Sequence, residues 1–164
     1  VTGQEYGHYL SSVPYYAAKA TRISAMTPDL SEILPAFETE LIKKLKDKIS
    51  KRIAWHPPCT LQHGQQIKGK VEDLLRCVGV DVRVCEDSHL CCGSAGTYSV
   101  LQSKLSYQLR DNKLHNLQAT TPELILSANV GCITHLQSGT DTPVQHWIEL
   151  LDQALAEPAS VAIP

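Results

Sequence analysis

The sequence predicts an α/β fold of three layers, a mostly parallel sheet with helices on both faces, preceded by a helical N-terminal segment. Two observations carry this. From Arg52 onward, short strand-like runs alternate with apolar stripes at helical spacing, whereas residues 1–50 contain helix starts and no strand pattern. A strand–helix–strand–helix–strand order implies right-handed crossovers, hence parallel strands covered on both sides.

Each element has its own signal. Pro14, after Ser11-Ser12, starts a helix that runs through Tyr16-Ala17-Ala18-Lys19-Ala20. A second helix is expected to open with Thr27 as cap and Pro28 in its first turn, with Leu30, Ile33, Leu34, Phe37, Leu41 and Leu45 on one face. Pro35 is placed to kink or divide it. The basic run from Lys43 to Arg52 reads as a solvated face. Arg52–His56 is the first strand, ended by Pro57-Pro58. Ile67, Val71, Leu74, Leu75 and Val78 form one helical stripe, which Gly79 closes. Val80–Val84 alternates as a second strand. Tyr98, Leu101, Leu105 and Leu109 mark the next helix, extended through Leu114 and Leu117, with Ser94 or Thr97 its expected cap. Leu124-Ile125-Leu126 begins a third strand that ends near Asn129-Val130-Gly131. The last helix is expected to be capped by Thr142, with Pro143 in its first turn, Gln145 completing a capping box, and Val144, Trp147, Ile148, Leu151 and Leu155 as its stripe. This gives a helical segment over 1–50, a remnant or linker from an upstream half-domain, then a cysteine-bearing domain over 51–157 and a frayed tail over 158–164.

Composition narrows the function. With 164 residues and 43% hydrophobic content, the chain can bury one core with at most an appendage. A formal charge of −2 argues against nucleic acid or an anionic membrane as the main partner. There is no apolar run of membrane-spanning length and no basic-then-apolar leader, so the expected location is the cytoplasm. The chain does not begin with Met and is read as a trimmed chain or fragment. Six cysteines without a leader point to a reducing compartment and to metal or redox use rather than disulfides.

The cysteines are placed by the topology. Cys59 follows the first strand, Cys91-Cys92 the second and Cys132 the third, and in an open parallel sheet those loops emerge on one edge, where such folds bind ligands. Adjacent cysteines suit a polynuclear site, since neighbours in a strand or helix point in different directions. Gly93 and Gly96 permit backbone angles and close approaches that a side chain would forbid. Cys59, Cys91, Cys92 and Cys132 are therefore the candidate thiolate ligands, with His135 as a candidate fifth, since imidazole can replace thiolate on iron and also suits tetrahedral zinc. His56, three residues before Cys59, is a candidate hydrogen-bond donor to a ligand sulfur. Cys77 and Cys85 are expected to serve packing, as is Trp147, with an extra ligand as the alternative for Cys85. His63, His89, His115 and His146 have no assigned partner.

The motifs His56-Pro57-Pro58-Cys59, Cys91-Cys92-Gly93-Ser94-Ala95-Gly96-Thr97-Tyr98, Gly131-Cys132-Ile133-Thr134-His135-Leu136-Gln137 and Pro143-Val144-Gln145-His146-Trp147 together resemble the cysteine-rich CCG domain. That domain occurs in heterodisulfide reductases, lactate-utilisation proteins and anaerobic glycerol-3-phosphate dehydrogenases, and the wording here is similar to the branch in the iron–sulfur subunits of glycolate oxidases. The resemblance covers about Arg52 to Leu155. It implies an iron–sulfur cluster, of the 4Fe-4S type, that carries electrons from flavoprotein subunits oxidising glycolate to glyoxylate toward an acceptor such as quinone. It implies no catalysis by this chain alone. The flavoprotein subunits and an upstream ferredoxin-like half of the same subunit would be its partners, and the complex could lie peripherally on the inner face of the cytoplasmic membrane. Two features depart from the family pattern. Cys132 and His135 stand where the general pattern has two cysteines, and no closely spaced ferredoxin-type cysteine run is present. Two other readings stay open: a zinc-binding structural or interaction module, and a disulfide- or quinone-reducing cluster of the heterodisulfide reductase type.

Overall fold

The computed structural model describes residues 2–156, so the tail expected over 158–164 lies outside the described residues. The chain divides into two compact units, one up to Phe37 and one from Glu38 onward.

The first unit is helical. Helix α1 (Thr2–Tyr9) packs against α2 (Pro14–Ala25), and α3 (Leu30–Ile33) runs into a 3₁₀ turn over Leu34–Phe37. Small residues allow the α1–α2 approach. The Gly7 N–H donates to Ser24 Oγ at 2.8 Å, and a Cβ on Gly7 would lie 3.2 Å from the Thr21 Cα. Pro14 begins α2 as expected. The next helix start differs from expectation: Thr27 is occupied by the preceding helix, its hydroxyl donating to the Ile23 carbonyl at 2.6 Å, and Asp29 is the cap. Asp29 accepts from the Ser31 N–H while Glu32 accepts from the Asp29 N–H, a reciprocal box that Thr27 is too far upstream to form. Pro35 does divide the helix, and the expected stripe is divided with it: Leu41 and Leu45 are buried, but Leu30, Ile33 and Phe37 are exposed.

The second unit is a parallel α/β sandwich. Helix α4 (Glu38–Leu45) leads to β1 (Arg52–His56), α5 (Lys70–Cys77), β2 (Asp81–Val84), α6 (Thr97–Leu101), α7 (Ser103–Gln118), β3 (Leu124–Ser127), α8 (Val130–Gln137), β4 (Val144–His146) and α9 (Trp147–Ala156). The sheet has the order β2-β1-β3-β4 and every pairing is parallel. Helix α4 contacts α5 and α9, while α7 contacts α8 and β1, giving one helical layer per face. Ala54, Ile125 and Val144 share a buried cluster with Leu114, Leu117 and Leu136, so alternate strand residues face the α7–α8 layer. Among the described residues no helix is long and apolar enough to cross a membrane.

The sequence reading missed α8 and β4. Val144–His146 does not open a helix capped by Thr142, because it pairs with Ile125–Ser127 as a fourth strand, and the Val144 N–H donates to Gln137 Oε1 at 2.8 Å. The helix starts one turn later. His146 Nδ1 accepts from the Ile148 N–H at 3.3 Å, and Glu149 accepts from the His146 N–H at 3.1 Å. Trp147 is core, as expected. The helix after Cys91-Cys92 breaks at Gln102 into α6 and α7, its first cap is Gly96 rather than Ser94 or Thr97, and Leu101 and Leu105 are exposed. Cys85 is core as expected, whereas Cys77, one step off the α5 stripe, is exposed.

Candidate metal centre

The chain leaves β1 for β2 on one side and then returns to β3 on the other, which creates a topological switch point between β1 and β3. His56 ends β1 and is in register with Ser127, which ends β3, so both side chains point from the sheet's carboxyl edge into the α7–α8 layer. Three segments converge there. Pro57-Pro58 halts β1, and Cys59 opens a π turn over Thr60–Gly64. Asn129 caps α8, its side chain accepting from the Gly131 and Cys132 N–H groups at 2.9 and 3.3 Å, which sets Cys132 in the first turn. The third segment is the loop from Cys85 to Gly96.

That loop is held by α7 at three points. The Ser106 hydroxyl donates to the Gly93 carbonyl at 2.8 Å, Lys113 Nζ donates to the Asp87 carbonyl at 2.6 Å, and Asn116 Nδ2 donates to the Glu86 carbonyl at 3.2 Å. Gly93 is required sterically. Its φ is +93°, and a Cβ there would meet the Ser106 carbonyl oxygen at 2.3 Å. A fourth tie joins the two outer loops, because His63 Nε2 donates to the His89 carbonyl at 3.2 Å.

The four expected cysteines come together. Their thiols are neighbours in a row, Cys59 beside Cys91, Cys91 beside Cys92 and Cys92 beside Cys132. The ligand atoms of His56, Cys92 and Cys132 all lie within 4.8 Å of one another, and all three residues are buried. His56 is fully buried, yet neither ring nitrogen has a hydrogen-bond partner among the described residues, nor does the buried Ser127 Oγ beside it. Orphaned nitrogens facing two thiols are costly without a further occupant, so the donor set fits a metal or cluster.

Titration follows the crowding. The hydrogen bond to Cys132, with Cys92's own burial, pushes the Cys92 thiol up to about 11. Its hydrogen bond to Cys92 and then burial push Cys91 well above the ordinary thiol range, and burial with the neighbouring Cys91 raises Cys59. Burial, and secondly the charge of Lys113, lowers His56 to about 3. The protein without metal thus holds a neutral imidazole beside the neutral Cys92 thiol, with Cys59 and Cys91 held neutral as well, and metal binding there must release thiol protons.

His135 stands apart from this group. The Ser106 hydroxyl already donates to Gly93, so His135 Nε2 is the donor to Ser106 Oγ at 3.2 Å or to the Ser106 carbonyl at 3.3 Å, and its ring stacks on Tyr107. His56, expected beside a ligand sulfur, lies inside the inner group. The sequence reading overlooked Lys113, Ser106 and Ser127. Ser106 and Lys113 are two helical turns apart and share the buried face of α7 with Leu117, a spacing that could have flagged a buried polar seam.

A family model for the cysteine-rich domain CCG matches residues 53–137. The chain is 47% identical over 152 residues to the glycolate oxidase iron-sulfur subunit of Escherichia coli (strain K12), covering 93% of this chain and 37% of that protein. It is 27% identical over 155 residues to lactate utilization protein A of Bacillus licheniformis, covering 91% of this chain and 64% of the relative. It is 25% identical over 138 residues to a probable glycolate oxidase iron-sulfur subunit of Bacillus subtilis (strain 168), covering 84% of this chain and 31% of that protein. The chain therefore spans only part of each of these relatives, and the matched segment contains Cys59, Cys91, Cys92, Cys132 and His135. With thiols from three strand ends gathered at the sheet's switch point, the chain belongs to the CCG cysteine-rich domain family.

Proposed function

We propose that this chain is the cluster-holding part of an iron–sulfur oxidoreductase subunit, and that it relays electrons from flavoprotein subunits oxidising glycolate toward a quinone acceptor. The observation that carries the reading is the row of four thiols whose inner two, Cys92 and Cys132, lie beside a buried imidazole with no hydrogen-bond partner among the described residues. Relatives named as iron–sulfur subunits of glycolate oxidase support it.

In this reading Cys59, Cys91, Cys92 and Cys132 are the ligands of a 4Fe-4S cluster. Bound there, the cluster supplies one-electron carriage at a potential set by burial, hydrogen bonds and net charge. The chain's own residues do the rest. Gly93 lets the loop close on α7, Asn129 fixes the turn that carries Cys132, and Leu114, Leu117 and Leu136 keep water from the inner sulfurs. His56 is poised to donate to a ligand sulfur. His135 joins the ligand set only if its Nε2 releases Ser106. The docked complex would sit in the cytoplasm or against the inner face of its membrane.

One observation favours a second reading. The inner group of His56, Cys92 and Cys132 with one outer thiol has the composition of a closed zinc site. An anaerobic redox titration separates the two. Protein purified without oxygen should show broad visible absorption that bleaches with a reduced flavin donor and returns with a soluble quinone. A colourless protein with one zinc would replace electron transfer by the structural reading.

A further inference from the structure

Lys113 is 2% exposed, and among the described residues no other Lys, Arg, Asp or Glu is as deeply buried. Its Nζ donates to the Asp87 carbonyl, and among the described residues no carboxylate lies within ion-pairing distance of it. A buried ammonium without a counter-ion is unfavourable, and one hydrogen bond uses only one of its three donors. The surroundings name the missing anion. Lys113 lines a small cavity of about 50 Å³ with Cys91, Leu90 and Asn112. It shares the buried face of α7 with Ser106, which holds the Gly93 carbonyl, and with Leu117, which packs in the cluster containing Cys85, Cys92 and Cys132. Its charge interacts with Cys85, Cys92, Cys59 and His56, and with the Asp87 carboxylate, which lies beyond ion-pairing distance.

We infer that Lys113 is the internal counter-cation of the metal centre: its ammonium offsets the net negative charge of a thiolate-ligated cluster while tethering the cysteine loop at Asp87. The inference rests on the iron–sulfur reading above and deepens it. A fixed positive charge favours whichever redox form carries more negative charge. Adding one electron makes the cluster more negative, so Lys113 stabilises the reduced form and raises the reduction potential. It acts through the field at the cluster and is a positioning residue.

The test compares wild-type protein with Lys113→Met, Lys113→Gln and Lys113→Arg, each purified without oxygen. Iron and sulfide are counted, and the potential is read by titration with dithionite. Gln keeps a donor for Asp87 without the charge, so it separates the tether from the field. The expected result is a full cluster in wild type and in Lys113→Arg with similar potentials. At a fixed ambient potential, Met and Gln should lower the ratio of reduced to oxidised cluster at least tenfold, which is 59 mV for one electron. Loss of the cluster from Met and Gln but not Arg, with all chains folded, would equally show that the charge is required. Equal potentials in wild type and Lys113→Gln would overturn the inference and leave the iron–sulfur reading intact, as would loss of the cluster from Lys113→Arg. Wild-type protein without iron or sulfide would overturn both.

Discussion

The inner and outer halves of the cysteine group are built to different standards. Cys92, Cys132 and His56 are buried, and each is fixed by a regular element or its cap: the end of β1, the first turn of α8, and a loop clamped to α7 through Gly93. Cys59 and Cys91 are only half-buried, Cys59 at the start of the π turn and Cys91 on the outer side of the loop that α7 clamps, and the two segments are joined through His63 and the His89 carbonyl. Leu90, next to Cys91, is an exposed apolar side chain on that outer rim. Rigidity and access are thus assigned to separate thiols: the inner half is buried and fixed, and the outer half stays near solvent. If the group holds a cluster as proposed, the inner half would set its geometry and the outer half would be the side through which an electron enters or leaves.

Ligand substitutions should break the comparison most strongly. Cys92→Ser or Cys132→Ser is expected to reduce metal affinity by at least roughly 100-fold, beyond what losing an outer hydrogen-bonding partner costs. Cys59→Ser or Cys91→Ser should lose roughly 10-fold, because at these half-buried positions water can take the place of the sulfur. Competition with a graded chelator checks the order, and equal losses would remove the inner–outer distinction.

Glycine substitutions sharpen it without touching a ligand. Gly93→Ala places a Cβ against the Ser106 carbonyl at positive φ and should cost about 3 kcal/mol, lowering the melting temperature by roughly 10 °C. Gly96→Ala also has positive φ, but its Cβ meets nothing within 4 Å, so about 1 kcal/mol is expected.

Acid should act through the inner half. The folded His56 titrates at about 3 against an ordinary 6.5, so between those values the unfolded chain binds more protons. Its contribution to stability is complete above pH 6.5 and is lost as pH falls toward 3, with a slope of up to ~1.4 kcal/mol per pH unit. Denaturant titrations of the metal-free protein across that range measure the slope, and His56→Leu should flatten it. The smallest effect is expected for Ser106→Ala. It removes one hydrogen bond to Gly93 and should cost about 1 kcal/mol.

Much of this was legible in the sequence. The fold class, three of the four strands and the convergence of Cys59, Cys91, Cys92 and Cys132 follow from alternation, crossover length and the rule that loops at one sheet edge share a site. The misses have physical causes. Val130–Gln137 is a single eight-residue helix rich in β-branched residues, so its apolar run looks like the end of β3, and Asn129 was its main start signal. Val144–His146 is too short to show alternation, and only its pairing with β3 makes it a strand. Lys113 lies on a helix dense in polar residues, where a charge reads as solvated. Its burial depends on a loop folding back over α7, which no local pattern encodes.

If the inner group and its two outer thiols hold iron and sulfide together, as proposed, both must depend on Cys92. The most direct measurement is iron, acid-labile sulfide and zinc per chain on protein purified without oxygen, repeated on Cys92→Ser. Iron and sulfide in equal amounts, little zinc, and loss of both iron and sulfide in the variant are expected. One zinc per chain without sulfide, or iron and sulfide unchanged in Cys92→Ser, would contradict it.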